Sequence, residues 1–251
     1  MERGITLVTG ASAGLGAEFA RQCRKRGDEL VLVARRRDRL EALAAELGSA
    51  HVIAADLAEP GAPKRLLAEV AGLGLELETL INNAGFGSAG AFVEAAPQRL
   101  LDMVDLNVRS LTELSRLALP PMLERRRGFI LNVASTAAFQ AGPYSAVYYA
   151  TKAYVLSLSE ALHEESKRSG VHVSALCPGP TATEFFEVAG SPNGRLAKMA
   201  TDPRAVVAAG LAGLARNKAI VVPGMMNKMT SQAGRILPRA ALRRAVAALK
   251  S

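Results

Sequence analysis

Between Ile5 and Leu176, short runs of β-branched and apolar residues alternate with segments whose apolar residues recur every three or four positions. No other feature constrains the fold so tightly, because a short solid apolar run suits a buried strand and a 3.6-residue period suits a helix. The runs at 5–8, 29–34, 51–55, 79–82, 129–133 and 171–176 are expected strands. Between them, Leu15, Phe19 and Cys23 share one helix face, and residues 39–47 carry Leu40, Leu43 and Leu47 along one side. Residues 64–73, a long stretch from about 98 to 124, and 148–167 read as further helices. Regular alternation of this kind implies parallel β-α-β units with right-handed crossovers and helices on both faces. The expected fold is α/β, a doubly wound parallel sheet. A helix over 203–216 and a strand over 219–222 would bring it to about seven strands. The 251 residues suit a single domain spanning 1–251, and neither a repeat nor a linker divides them.

Composition narrows the function. Hydrophobic residues at 49% and charged residues at 22% are those of an ordinary globular chain, which excludes disorder, collagen and coiled coil. Two cysteines, Cys23 and Cys177, form no disulfide framework and point to a reducing compartment. No apolar stretch reaches the roughly 18 residues of a membrane span, and residues 1–4 run into a strand-like segment without a signal-peptide pattern. The expected location is cytoplasmic. A formal charge of +8 favours an anionic partner, with arginines clustered at 35–39, 125–127 and 235–244. Aromatic residues are only 4% and do not interleave with the basic clusters, so nucleic acid is not expected. His51, His163 and His172 are scattered, no metal site is expected, and no G-x-S-x-G elbow marks a hydrolase.

The first strand runs directly into Thr9-Gly10-Ala11-Ser12-Ala13-Gly14-Leu15-Gly16. Glycines allow positive φ and close backbone approach to a ligand, and the free amides opening the next helix point at an anion. The G-x3-G-x-G spacing is neither the G-x-G-x-x-G fingerprint nor a P-loop, since Ala17-Glu18 follows the last glycine. In dinucleotide binders an acid at the tip of the second strand takes the ribose hydroxyls, and an arginine there accommodates a 2′-phosphate. Here the tip reads Ala34-Arg35-Arg36-Arg37, which favours NADP over NAD. Asp38 lies beyond the tip and reads as a helix N-cap or surface charge.

Tyr148 and Lys152 are four residues apart at the start of a helix, one turn from each other. A nearby ammonium favours the phenolate and brings tyrosine toward acid–base work near neutrality. Only Tyr148 has this spacing; Tyr149 would point elsewhere, and Tyr144 lies in the preceding turn. Ser135, just past the fifth strand, stands at the carboxyl edge of the sheet, where a hydroxyl can bond a substrate carbonyl.

The set Thr9 to Gly16, Asn82-Asn83-Ala84-Gly85, Asn107, Ser135, Tyr148, Lys152 and Pro178-Gly179 resembles, in order and spacing, the short-chain dehydrogenase/reductases over residues 4–185. Within them it looks most like the NADP-preferring reductases whose second strand ends in Ala-Arg. The resemblance implies a Rossmann sheet and an NADP(H)-dependent oxidoreductase. Tyr148 would donate the proton in carbonyl reduction, Lys152 would lower its pKa and hold the nicotinamide ribose, and Ser135 would polarise the carbonyl. Asn107 would hold a water linking Lys152 to solvent. The cofactor would lie on Gly10, Ser12, Ala13, Gly14, Leu15 and Gly16, with Arg35 and Arg36 at its 2′-phosphate. Asp56 and Leu57 would meet adenine, Asn83, Ala84 and Gly85 would line the trough, and Pro178, Gly179 and Thr183 would place the nicotinamide.

Ala137, Ala138, Phe139, Phe86, Phe185 and Phe186 are expected near the substrate, which suggests an apolar ketone or acyl chain. Residues 184–199, within a loop over about 180–200, suit a closing lid. Residues 235–250, in an extension over about 225–251, show an amphipathic pattern that suits the body, a second subunit or a membrane surface. The leading expectation is a reductase of a ketone or 3-oxoacyl-type substrate, homodimeric or homotetrameric by resemblance. An alcohol, polyol or steroid dehydrogenase working oxidatively is the alternative enzyme, and an NADP-binding sensor without catalysis the alternative class.

Overall fold

In the computed structural model, which describes residues 4–191 and 200–250, seven strands form one parallel sheet in the order β3-β2-β1-β4-β5-β6-β7. They are β1 Ile5–Thr9, β2 Glu29–Ala34, β3 His51–Ala54, β4 Leu77–Asn82, β5 Gly128–Val133, β6 Val171–Leu176 and β7 Ile220–Val221. The expected doubly wound α/β sheet is therefore the fold. Because both faces are covered, the strands read as solid apolar runs: every residue of β1 is buried.

Two apolar layers sandwich the sheet. On one side α1 (Gly14–Lys25), α2 (Arg37–Leu47) and α8 (Pro203–Ala215) pack Phe19, Leu40 and Leu211 against Val8, Leu32 and Leu176. On the other, α3 (Ala62–Gly72) and α5 (Leu111–Glu124) set Leu66, Leu114 and Met122 against Leu7, Leu80 and Ile130. α4 (Pro97–Val104) precedes α5, α6 (Ala146–Ser166) follows β5, and the short α7 (Phe185–Val188) follows β6.

Three expectations need correction. The single long helix over 98–124 is interrupted: a π-helical turn, Asp105–Ser110, separates α4 from α5. Such turns widen the helix locally and often mark functional sites. Of the two readings of Asp38 the cap fails and the surface charge holds: Arg36 is the N-cap residue of α2, and Asp38 is exposed within its first turn. The tail is two helices, α9 (Met225–Ile236) and α10 (Arg239–Lys250), and α9 was not expected. Leu237, just before Pro238, takes the extended conformation that a following proline imposes and ends α9. Part of the expected lid, residues 192–199, lies outside the described residues, as do residues 1–3.

Candidate active site

The strand order reverses between β1 and β4, and the crevice beyond their carboxyl ends is where open α/β sheets take ligands. The glycine turn lies there. Gly10 and Gly14 have φ of +67° and +55°, the left-handed region that favours glycine. At Gly16 a Cβ would fall 2.0 Å from the Gly10 carbonyl oxygen, so only glycine lets α1 start this close to β1. Ala13 is the extended residue before α1, and no acidic side chain occupies the first turn. Leu15 turns into the core.

The second wall of the crevice braces the first. The Thr9 hydroxyl accepts from the amides of Asn83 and Ala84, at 3.0 and 2.9 Å. The Asn83 side chain donates back to the carbonyls of Thr9 and Gly10. Asn83 is thus committed to holding the glycine turn, and Thr9 was a signal that strand periodicity hid. At Gly85 a Cβ would stand 2.8 Å from the Asn107 carboxamide oxygen and 3.6 Å from the Lys152 ammonium.

At the tip of β2 the arginines separate. Arg36 donates through Nε and Nη2 to the Ser12 hydroxyl, at 3.3 and 3.1 Å. Its Nη1 reaches Glu184, whose other oxygen accepts from Arg39. Arg35 is largely exposed and stands 3.7 Å from Asp56. The other oxygen of Asp56 accepts from the Ala58 amide. The Leu57 side chain is buried in the core under α3, leaving only its backbone for a ligand.

At the other end of the crevice, Asn107 lies within the π turn. Its carboxamide accepts from the Phe86 amide at 3.1 Å and donates to the Phe86 carbonyl at 2.9 Å and to Thr151 at 3.1 Å. Lys152 is buried and donates to the Val133 carbonyl at 2.7 Å, with its nitrogen 5.9 Å from the centre of the Tyr148 ring. Burial brings its pKa down to about 8, with the buried Cys177 acting in the opposite sense. Ser135 accepts from the Ala137 amide at 3.1 Å, and its hydroxyl is close enough to Tyr148 to draw the phenol's pKa down. Burial pushes Tyr148 up to about 12, and the bond to Ser135 offsets this only in part. Desolvation is thus the largest influence on Tyr148, opposite in sense to the expected acidification, and it keeps the phenol protonated at neutral pH.

At this end of the crevice the Pro178 carbonyl accepts from the Thr136 amide, and at Gly179 a Cβ would strike Asn227 on α9. Thr183 approaches Gly14, to within 3.0 Å of where its Cβ would stand. The Phe185 ring lies tilted at 50° to that of Tyr148, with centroids 5.3 Å apart. Ala137 is core, packed with Tyr149 and Val246, and the Tyr149 ring stands edge-on to Tyr148 with centroids 6.1 Å apart. Tyr144 is exposed at a positive φ of 60°. Among the described residues no cluster of His, Cys, Asp and Glu could hold a metal.

A glycine-lined turn at a helix start, an arginine on the serine of that turn, and a buried tyrosine, serine and lysine at the far end fit a nicotinamide dinucleotide. They define an oxidoreductase of the doubly wound class. The family profile described as short chain dehydrogenase matches residues 4–193, and the chain belongs to that family. It is 32% identical over 197 residues to a very-long-chain 3-oxoacyl-CoA reductase of Bos taurus; the match covers 72% of this chain but only 61% of that relative. It is 36% identical over 184 residues to a serine 3-dehydrogenase of Rhizobium radiobacter, covering 72% of this chain and 74% of that one. Among solved structures, a short-chain dehydrogenase from Sphingobium yanoikuyae in complex with NADPH superposes with a TM-score of 0.83. That pair is 32% identical over 95% of this chain and 94% of the other.

Proposed function

We propose that the protein is an NADPH-dependent reductase of an apolar ketone or 3-oxoacyl-type substrate, with Tyr148 as the proton donor. The observation that carries this reading is the geometry of the site: the Tyr148 phenol lies over Lys152, whose buried ammonium is 5.9 Å from the ring centre and held on the Val133 carbonyl, with Ser135 at the same end of the crevice. When bound, the cofactor supplies the hydride. The chain supplies position and the proton. Ser135 and Tyr148 hold the carbonyl oxygen, and Tyr148 donates its O–H to that oxygen as negative charge develops. Lys152 stabilises the phenolate left behind, and Asn107 fixes the turn that carries Phe86 over this end.

Gly10, Ser12, Ala13, Gly14, Leu15 and Gly16 would take the pyrophosphate on backbone amides. Arg36, already on Ser12, would take the 2′-phosphate, with Arg35 beside Asp56 flanking the adenine. Ala84 and Gly85, with Asn83 bracing them, would form the trough floor, and Pro178, Gly179 and Thr183 the nicotinamide wall. The NADPH complex of the Sphingobium relative and the reductase named among the curated relatives support this choice. The segment 180–191, with Phe185 against Tyr148, would cover the substrate. A homodimer or homotetramer remains part of the proposal.

The test is NADPH oxidation across ketones, 3-oxoacyl thioesters and sugars. Turnover of an apolar ketone or thioester that Tyr148→Phe abolishes supports the reading. Binding of NADPH with no turnover on any substrate would instead identify a sensor.

A further inference from the structure

The positive charge of this chain is not spread over it. From Pro203 to Ser251 there are nine lysines and arginines and no acidic residue, while the rest holds 22 basic and 23 acidic side chains. The whole of the net +8 therefore belongs to the last fifth of the chain. Among the described residues every ion pair lies before Pro203, although Lys25, Lys64, Arg116, Arg126 and Arg168 there are also exposed without one. Arg21, Arg26, Arg36, Arg39, Arg65, Arg109, Arg125 and Arg127 each face a carboxylate. Among the described residues, Lys228, Arg239, Arg243 and Arg244 are exposed and none has an ion-pair partner.

Beside these cations lies exposed apolar surface. Met225, Met226 and Met229 on α9 are 73%, 67% and 64% exposed, and Leu237 at its end is 49% exposed. Met225 and Met229 are one turn apart on a helix, Met226 lies about 100° further round, and Lys228 flanks the strip on the other side. The opposite side of α9 is docked: Ser231 is buried, and Asn227 meets Gly179. Val246 of α10 packs on Ala137 and Tyr149. The two helices thus stand at the mouth of the catalytic crevice, against the turn that follows Ser135.

We infer that α9 and α10 form a docking face for an anionic lipid bilayer, which seats the catalytic mouth on the membrane surface. Unpaired cations are attracted to anionic headgroups, and the thioether strip enters the apolar boundary beneath them. No helix among the described residues is long and apolar enough to cross a membrane, so this is a surface attachment. Nucleic acid fits the charge but not the apolar strip, and no aromatic residue follows Phe186 to stack on a base. The inference is independent of the substrate proposed above, since attachment is read without turnover.

The experiment is co-sedimentation of the full chain with vesicles of phosphatidylcholine alone or in equal parts with phosphatidylglycerol. The protein is expected to pellet with the anionic vesicles at low salt, to stay in solution with the neutral ones, and to be released by added salt. Neutralising one cation near the surface lowers partitioning about five-fold, so Arg243→Gln with Arg244→Gln should lower it about twenty-five-fold. Met225→Gln with Met226→Gln and Met229→Gln should weaken binding and leave unchanged the thermal melting that controls for folding. Three results would overturn the inference: no binding to anionic vesicles, equal binding to both kinds, or binding indifferent to both sets of substitutions. A light-scattering mass that falls when the methionines are replaced would assign the strip to a second copy. Retention on immobilised polyglutamate without vesicle binding would assign it to an acidic protein.

Discussion

Glu184 is held by Arg39 at 2.5 Å across 145 residues of chain, and its second oxygen lies 3.2 Å from Arg36. The carboxylate thus sits on the guanidinium that also binds Ser12, the pair of groups proposed for the 2′-phosphate. The hydrogen bond from Arg39, with that from Arg36, holds the Glu184 carboxyl below its ordinary pKa, so it is ionised throughout the neutral range. Two anions compete for one fork. Glu184→Gln should therefore tighten NADPH binding, by about five-fold for a surface pair of this kind, and leave NADH nearly unaffected. Arg36→Ala should weaken NADPH about ten- to a hundred-fold and NADH far less. Fluorescence titration of either nucleotide reads both directly, because the chain has no tryptophan.

Tyr148 and Ser135 act on the same oxygen in the proposed reaction, yet they should fail differently. Tyr148→Phe removes the proton and should lower kcat roughly a hundred- to ten-thousand-fold while the NADPH Kd is preserved. Ser135→Ala removes one hydrogen bond to the developing charge and one bond to the phenol. It should cost about a hundred-fold in kcat, again without loss of cofactor binding. Tyr149→Phe alters a ring packed on Val246 and should leave kcat within about two-fold. Steady-state rates beside nucleotide titrations separate the three.

Lys152 gives the site its pH dependence. In the free protein burial lowers it to about 8, so it loses its charge as pH rises through that value, whereas Tyr148 stays protonated to about 12. Reduction needs the ammonium to support the phenolate formed, so kcat/KM for NADPH should fall above about pH 8. Lys152→Arg, whose guanidinium does not titrate there, should lose that limb at whatever rate remains. Stability moves the other way. The unfolded chain keeps the lysine proton to the ordinary 10.5 and the folded one releases it near 8, so unfolding free energy gains with pH between those values. The pH-dependent gain in melting temperature over that window should vanish in Lys152→Met.

The sheet and the site were legible because their signals are local. Strand runs gave β2 and β6 their observed bounds, and the four-residue spacing placed Tyr148 and Lys152 one turn apart at the start of α6. The glycines were readable because positive φ and close packing leave no alternative residue at Gly10, Gly14 and Gly16. Contacts between distant segments were not readable. Nothing near Glu184 in sequence announces Arg36 or Arg39, and nothing in Thr9 announces the amides of Asn83 and Ala84. The π turn at Asn107 was hidden because one added residue barely disturbs a helical apolar pattern. The desolvation of Tyr148 was hidden for a related reason: spacing reveals the nearby ammonium but not how completely the fold removes water from both groups.

Asn132 illustrates what such hidden contacts are worth. On β5 it accepts from the Asn82 amide of β4 at 2.9 Å and donates to Ser159 of α6 at 3.0 Å. Asn82 donates in turn to Ser115 of α5, and Ser159 to the Val155 carbonyl. This polar chain ties two strands to the two helices that frame the catalytic end, and all four side chains are buried. Truncation leaves partners stranded where water does not reach, so the cost is their desolvation as well as the lost bonds. Asn132→Ala should destabilise the protein by about 3 kcal/mol. Ser159→Ala, which strands only the Asn132 amide, should cost about 1 kcal/mol. Shared hydrogen bonds make the two effects non-additive, so the double variant should lose less than their sum in chemical denaturation.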